Sequence, residues 1–126
     1  MATKQRLALW LAWGTVTRGW ALATQGQAEA GIAQIRQGLA AAQATGAGLF
    51  RTHQLTQLAD AYDAVGQPAA GLAVLHEALA LVEETGERFW EAEIYRLTGE
   101  LLLKLANNRH YREVLHHIEY IHAFRF

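Results

Sequence analysis

The sequence predicts an all-α protein built from three antiparallel helix pairs, and three observations carry this prediction. Alanine fills 24 of the 126 positions, proline occurs once, and runs of β-branched residues are nearly absent, a composition that favours helix over strand. Apolar residues recur three and four positions apart, which is the spacing of one helix face. The chain also repeats itself with a period of about 40 residues, which suits a unit of two helices.

The repeat becomes visible when the sequence is aligned with itself so that Gly26 falls on Gly66. The matches are Gly26-Gln27 with Gly66-Gln67, Gly31-Ile32-Ala33 with Gly71-Leu72-Ala73, Ile35 with Leu75, Leu39-Ala40 with Leu79-Ala80, Thr45-Gly46 with Thr85-Gly86, and Phe50 with Trp90. We therefore expect one domain over residues 1–126, divided into units at about 7–46, 47–86 and 87–122.

Each unit is predicted to hold two helices, which gives six helices in all. Their apolar residues are, in chain order, Trp13, Val16, Trp20 and Leu22; Ile32, Ile35 and Leu39; Leu55, Leu58, Ala59 and Tyr62; Leu72, Leu75, Leu79 and Val82; Phe89, Trp90, Ile94, Tyr95, Leu97, Leu101, Leu102 and Leu105; and Val114, Leu115, Ile118 and Ile121. Gly26, Gly46, Gly66 and Gly86 end the first four helices, because glycine readily adopts the left-handed conformation that closes a helix. Pro68 suits the first turn of the fourth helix, where its missing N–H is not needed.

The last unit departs from this pattern. A turn is predicted at Asn107-Asn108, and Tyr111 then stands where the first two units carry Gly31 and Gly71. A large residue at such a position prevents a close approach of two helices. We therefore expect the last helix, over residues 109–122, to pack differently and to cover the end of the array.

Composition and the N-terminal segment limit the classes of function. The formal net charge of −1 argues against nucleic-acid binding, and the absence of cysteine and serine excludes thiolate nucleophiles, cysteine zinc sites and serine-hydrolase chemistry. Lys4 and Arg6 precede an apolar run over residues 7–13, as in a secretory signal, but Arg18 soon interrupts it. The run is too short to span a membrane, so we expect the first helix of a cytoplasmic protein and no membrane partner.

The spacing of small and large residues resembles a tetratricopeptide (TPR) repeat. The residues that carry the resemblance are Leu58-Ala59, Tyr62, Gly71, Leu75 and Ala78 in the second unit, Gly19, Leu22, Gly31, Ile35 and Gly38 in the first, and Gly99 and Leu102 in the third. The resemblance implies a right-handed superhelix in which small residues lie where paired helices approach closely. It also implies that the first helix of each pair lines a concave surface.

A narrower resemblance rests on Gly19-Trp20-Ala21-Leu22-Ala23, Glu77-Ala78-Leu79-Ala80 and residues 86–97 and 99–103. These segments are similar to the C-terminal TPR-like regions of large bacterial multidomain signalling proteins. Such proteins join an adenylate-cyclase-type or LuxR-type DNA-binding domain to a predicted ATPase and then to helical repeats. The resemblance spans residues 13–105 and brings no catalytic motif, so it implies a regulatory or scaffolding module that binds proteins.

The sequence gives less support to any chemical site than to the repeat. His110, His116, His117 and His122 lie within thirteen residues, and Glu113 shares a helix face with two of them, which is a possible metal site. No two histidines are four residues apart, however, so the polar face of a terminal helix is the favoured interpretation.

The carboxylates, glycines and tryptophans also fit a structural role better than a chemical one. Asp60 and Asp63 share a helix face, but an exposed polar surface is favoured over an acid–base pair. The segment Gly46-Ala47-Gly48 begins like a phosphate-binding loop, yet Arg51 replaces the third glycine and no strand precedes it. The four tryptophans, Trp10, Trp13, Trp20 and Trp90, fit a core or interface better than a stack of bases. We therefore expect no enzyme activity, no cofactor and no metal.

The concave surface implied by the TPR resemblance is the best candidate for function. Its groove candidates are Trp13, Val16, Trp20, His53, Thr56, Asp60, Asp63, Glu93, Arg96, Glu100 and Lys104. The surface is aromatic at one end and of mixed charge at the other, which suits a peptide or protein segment with an apolar anchor and a basic flank. A small-molecule pocket near the tryptophans is the alternative.

Self-association is a further expectation. The ends of the predicted array are open, and both the run Leu101-Leu102-Leu103 and the tail Phe124-Arg125-Phe126 are strongly apolar. Apolar surface of this kind is normally covered in a soluble protein. The sequence therefore predicts a homodimer or a missing partner domain.

Overall fold

The computed structural model describes residues 3–44 and 50–107, and all regular secondary structure in these stretches is helical. The helices are α1 (Thr3–Thr24), α2 (Ala28–Ala44), α3 (Arg51–Ala64), α4 (Pro68–Thr85) and α5 (Glu91–Asn107). The predicted all-α fold is therefore confirmed. The sixth helix, expected over residues 109–122, lies outside the described residues. None of the five helices is long and apolar enough to cross a membrane.

The five helices pack in the order of the chain. Helix α1 packs on α2 and α3 on α4, while α2 and α4 each contact the odd-numbered helix that follows. The odd-numbered helices also contact each other in succession, α1 with α3 and α3 with α5. Within the part of the chain that the structure describes, no Cα atom of α2 lies within 8 Å of a Cα atom of α4. The odd-numbered helices thus form one continuous layer, against which α2 and α4 lie separately.

The helix ends follow from local chemistry. Gly26, Gly66 and Gly86 have φ values of 93°, 74° and 73°, in the left-handed region where glycine is favoured, and each follows a helix directly or by one residue. Pro68 occupies the first turn of α4, as predicted. The fifth helix begins at Glu91, so Phe89 and Trp90, which were expected to belong to its apolar face, precede it.

Glycines bring α1 and α2 into backbone contact. A Cβ atom on Gly19 would lie 2.6 Å from the carbonyl oxygen of Gly31, and one on Gly38 would lie 2.9 Å from the carbonyl oxygen of Ala12. Between α3 and α4 the distance is larger, since a Cβ on Gly71 would lie 3.1 Å from the carbonyl oxygen of Ala59. The expectation that small residues lie at the close approaches holds for these two pairs.

The core runs through all five helices. Its largest fully buried side chains are Val16, Ile35, Gln54, Leu55, Leu75, Val82, Ile94 and Leu101. Leu101 of the run Leu101-Leu102-Leu103 is part of this core, whereas Leu102 and Leu103 are 43% and 66% exposed, so the expected self-association stays a prediction. The apolar tail at residues 124–126 lies outside the described residues. Tyr95 and Leu102 are exposed, which makes the buried face of α5 narrower than its sequence predicted.

Two glycine substitutions are expected to change stability in opposite directions. Gly31→Ala should lower the free energy of unfolding by about 1–3 kcal/mol, because its methyl group would collide with the backbone of α1. Gly14→Ala should raise that free energy by about 0.5–1 kcal/mol, because alanine is the better helix former and the position has open space around it. Urea unfolding followed by circular dichroism measures both, and effects of the same sign would contradict the close packing of α1 on α2.

Candidate functional site

A cleft of about 360 Å³ opens on the layer of odd-numbered helices. It is formed where α3 lies between α1 and α5, so that three helices contribute side chains to one surface. Its lining residues are Trp20, His53, Thr56, Gln57, Asp60, Trp90, Glu93, Arg96 and Leu97.

One wall of the cleft is fixed by a hydrogen bond between α1 and α3. The indole Nε1–H of Trp20 donates to Oδ2 of Asp60 across 2.8 Å, at a partly buried position. The bond holds the indole ring against α3 and orients the carboxylate. Because an indole has a single polar atom, this contact leaves the rest of the Trp20 ring as apolar surface.

The opposite wall is aromatic. The rings of His53 and Trp90 are stacked, with centroids 4.2 Å apart and planes at 20°. Phe89 packs edge-on against Trp90 at 4.9 Å, and 79% of its surface is exposed. The segment between α4 and α5 therefore places an uncovered aromatic ring beside the cleft.

The charged residues along α5 form ion pairs with each other and with α3. Arg96 binds Glu93 across 2.6 Å and Glu100 across 2.7 Å, and Nζ of Lys104 lies 2.6 Å from Oδ1 of Asp63. The hydrogen bond from Arg96 is the main reason why the pKa of Glu93 is lowered, and the same contact raises the pKa of Arg96. Both groups therefore stay charged at neutral pH.

Acidic groups outnumber basic groups on this surface. Asp60 and the carboxylates named above give four negative charges, against the two positive charges of Arg96 and Lys104. The side chains counted here therefore carry two more negative charges than positive charges.

Two polar atoms in the cleft have no hydrogen-bond partner within the described residues. They are Nδ1 of His53 and Oε1 of Gln57, and both atoms are buried. Burial lowers the pKa of His53, although the charge of Glu93 acts in the opposite direction, so the imidazole is neutral at pH 7. Since buried polar atoms are normally hydrogen-bonded, these two atoms are exceptions among the described side chains of the cleft.

The structure brings most of the predicted groove residues together. Six of them line the cleft, namely Trp20, His53, Thr56, Asp60, Glu93 and Arg96. Asp63, Glu100 and Lys104 extend the same surface through the ion pairs described above. Thr56 is nearly buried and its hydroxyl donates to the carbonyl oxygen of His53, so it shapes the wall more than it faces a ligand.

Two groove predictions are corrected. Val16 is fully buried, because Gly38 lets α2 approach its side chain and the residue fills the space between α1 and α2. Trp13 lies apart from the cleft, between Trp10 and Phe50, with ring centroids 5.0 Å and 4.4 Å away. Neither residue lines the cleft.

Three lining residues, Gln57, Trp90 and Leu97, were not among the predicted groove residues. The repeat contained a signal for Trp90. Trp13 contacts Phe50, and shifting both by one repeat gives the His53–Trp90 pair, which makes the equivalent contact. Gln57 and Leu97 carry no comparable signal in the sequence.

The other candidate chemistry receives no support from the described residues. Within residues 3–44 and 50–107 no group of three histidine or acidic side chains could hold a metal ion. The histidines at positions 110, 116, 117 and 122 and the Gly46-Ala47-Gly48 segment lie outside these ranges.

The fold and the cleft define a small helical protein with a polar and aromatic surface groove. In comparisons with family models, with curated proteins and with solved structures, nothing matches the chain. The function of the protein is therefore inferred from the geometry of the cleft.

The hydrogen bond between Trp20 and Asp60 is expected to couple α1 to α3. In a double-mutant cycle with Trp20→Phe and Asp60→Ala, the coupling free energy should be about 1–2 kcal/mol, since the bond has a charged acceptor and is partly buried. Asp60→Asn keeps an acceptor and should retain part of the coupling. Urea unfolding of the variants provides the measurement, and additive effects would show that the bond contributes nothing.

His53 is expected to make stability depend on pH. Its pKa is lower in the folded chain than its ordinary value of 6.5, so the unfolded chain binds more protons as the pH falls below 6.5. The folded state should therefore lose stability below that pH, and His53→Gln should remove this part of the loss. Urea unfolding between pH 5 and 8 tests this, and identical profiles for His53→Gln and the parent chain would contradict it.

Proposed function

We propose that this protein is a non-catalytic TPR-like module that binds a peptide or protein segment in the cleft between α1, α3 and α5. The observation that supports this proposal is the composition of the cleft. An aromatic wall, an excess of carboxylates and two buried polar atoms without partners among the described residues converge on one surface. Peptide recognition needs such an arrangement, with an apolar anchor site beside polar groups that fix orientation.

Equivalent contacts in successive units support the TPR-like part of the proposal. The Trp13–Phe50 and His53–Trp90 contacts are related by the repeat, and the turns at Gly26 and Gly66 close in the same way. Three helix pairs wound into a right-handed superhelix would place the first helix of every pair on the concave side. The proposal includes a sixth helix and a regulatory or scaffolding role in a cytoplasmic signalling protein.

The chemistry of the cleft defines the ligand class. Phe89 and Trp90 offer apolar surface to an aliphatic or aromatic anchor, and Asp60 and Glu93 lie on the same cleft to receive a lysine or arginine. From Trp90 to Lys104 the surface follows α5 for about 21 Å at 1.5 Å per residue. An extended peptide of about six residues covers that distance. The proposed ligand is thus a short segment with one apolar anchor followed by basic residues.

A selection from a random nine-residue peptide library tests this proposal. Against the full chain it should enrich peptides that carry a basic residue near an apolar one. Glu93→Gln should weaken binding of a selected peptide at least fivefold in 50 mM NaCl, since it removes a carboxylate from the cleft. Glu84→Gln, an exposed residue at the end of α4, is the matched control and should change nothing.

Other outcomes of this experiment would contradict peptide binding. Enrichment of acidic peptides, or equal affinities for the Glu93→Gln variant and the parent chain, would exclude the cleft as a site for basic segments.

The volume of about 360 Å³ also fits a small molecule, which is the second candidate function. A metabolite that raises the melting temperature of the parent chain but not of Glu93→Gln, with no peptide enriched, would favour that function.

A further inference from the structure

The outer face of α1 is apolar and uncovered. Leu7, Trp10 and Leu11 are 60%, 58% and 64% exposed, while Ala12 and Val16 on the other side of the helix are buried. A helix that is apolar on both faces is normally enclosed on both sides. Three large apolar side chains on one exposed face mark a contact surface.

The repeat shows what covers the equivalent face in the next unit. On α3, Arg51, Leu55 and Leu58 lie at the surface that packs against α2, beside a hollow of about 470 Å³ that α4 closes on its other side. Moving one repeat back along the sequence gives Leu11, Thr15 and Arg18 on α1.

These α1 residues line a hollow of their own, of about 440 Å³. Gln34 and Gln37 of α2 complete it, and their equivalents one repeat later, Val74 and Glu77 of α4, complete the hollow beside α3. The part of α1 from Leu11 to Arg18 thus corresponds to the surface on which α2 packs in the next unit, and no described helix occupies it.

Two local features indicate that this surface is built for an occupant. A Cβ atom on Gly14, in the middle of the face, would meet no described atom within 4 Å, whereas the equivalent residue Gln54 is 1% exposed. The side-chain oxygen of Gln34 is buried in the hollow and accepts no hydrogen bond within the described part of the chain. A buried acceptor of this kind normally has a donor.

Charge decides between possible occupants. Helix α1 carries Lys4, Arg6 and Arg18 and no acidic residue, and Lys4 and Arg18 flank the apolar stripe. Pairing of this face with the same face of a second copy would oppose like charges, which is unfavourable. Carboxylates on the occupant would instead complement both ends of the stripe.

We propose that the outer face of α1 binds an acidic amphipathic helix of a partner protein, packed as α2 packs on α3. The partner helix would lay apolar residues over Leu7, Trp10 and Leu11 and direct carboxylates to Lys4 and Arg18. This interaction is separate from peptide binding in the cleft, and neither proposal depends on the other.

A helix-stapled peptide with the sequence of α2 serves as the probe. It carries Arg36→Glu and Gln43→Glu, because these two residues face α3 in the native packing and would face α1 in the docked peptide. The unaltered α2 peptide, equally stapled, is the control, and circular dichroism verifies that both are helical. Titration into the full chain in 50 mM NaCl, followed by fluorescence anisotropy, should show at least tenfold tighter binding of the acidic peptide. This advantage should shrink in 300 mM NaCl, where charges are screened.

Matched variants locate the binding face. Leu11→Asp should weaken binding of the acidic peptide at least tenfold, because the substitution places a carboxylate in the apolar stripe. Leu103→Asp changes a leucine that is 66% exposed on α5 and should leave binding unchanged, as should the cleft variant Glu93→Gln. Unchanged affinity of Leu11→Asp would overturn the proposal.

Four further outcomes would also overturn it. Equal affinity for the two peptides, or no binding of either, would remove the acidic helix as the occupant. Vesicles of phosphatidylcholine with about one third phosphatidylserine that shield Trp10 from a fluorescence quencher, without peptide binding, would assign the face to an anionic membrane surface. A dimer in light scattering that Leu11→Asp dissociates would assign it to a second copy of the chain.

Discussion

The direct contact between the backbones of α1 and α2 is the constraint on which the rest of the structure depends. Gly19, Gly31 and Gly38 remove the side chains that would hold the two helices apart. This close approach buries Val16 and Ile35 completely and thereby sets the rotation of α1 about its axis. The same rotation turns Trp20 toward Asp60 on α3 and leaves Leu7, Trp10 and Leu11 on the outside. Both proposed binding surfaces thus depend on glycine, which has no side chain, at positions 19, 31 and 38.

Contacts related by the repeat have different chemistry in successive units. The Trp13–Phe50 contact is purely apolar, whereas the equivalent His53–Trp90 contact contains a titratable ring with a buried nitrogen. The contact is repeated at equivalent positions, but the tilted Trp13–Phe50 pair lies apart from the cleft, whereas the stacked His53–Trp90 pair lines it. The repeated packing sets where the side chains lie, and single amino-acid differences between equivalent positions supply the polar groups.

The sequence predicted features that depend on local backbone chemistry. The helix ends at Gly26, Gly66 and Gly86 were correct because each has a left-handed conformation that glycine favours, and the start at Pro68 was correct because the first turn of a helix does not need the missing N–H. The position of Val16 could not be predicted in this way. Helix α1 is apolar on two faces, so periodicity alone does not tell which face meets α2. Trp90 was missed as a cleft residue because its place depends on where α5 begins, and helix boundaries are set by packing as much as by sequence.

The gap between α2 and α4 has a mechanical consequence. Because the backbones of α2 and α4 are not closely packed within the described chain, the angle between the first and second helix pairs can change without disrupting backbone packing between these two helices. Bending of this kind deforms only the contacts around α3, while the glycine contacts between α1 and α2 keep the first pair rigid. On the far side of α3, the same motion widens or narrows the cleft. The angle between the two helix pairs and the width of the cleft are therefore linked.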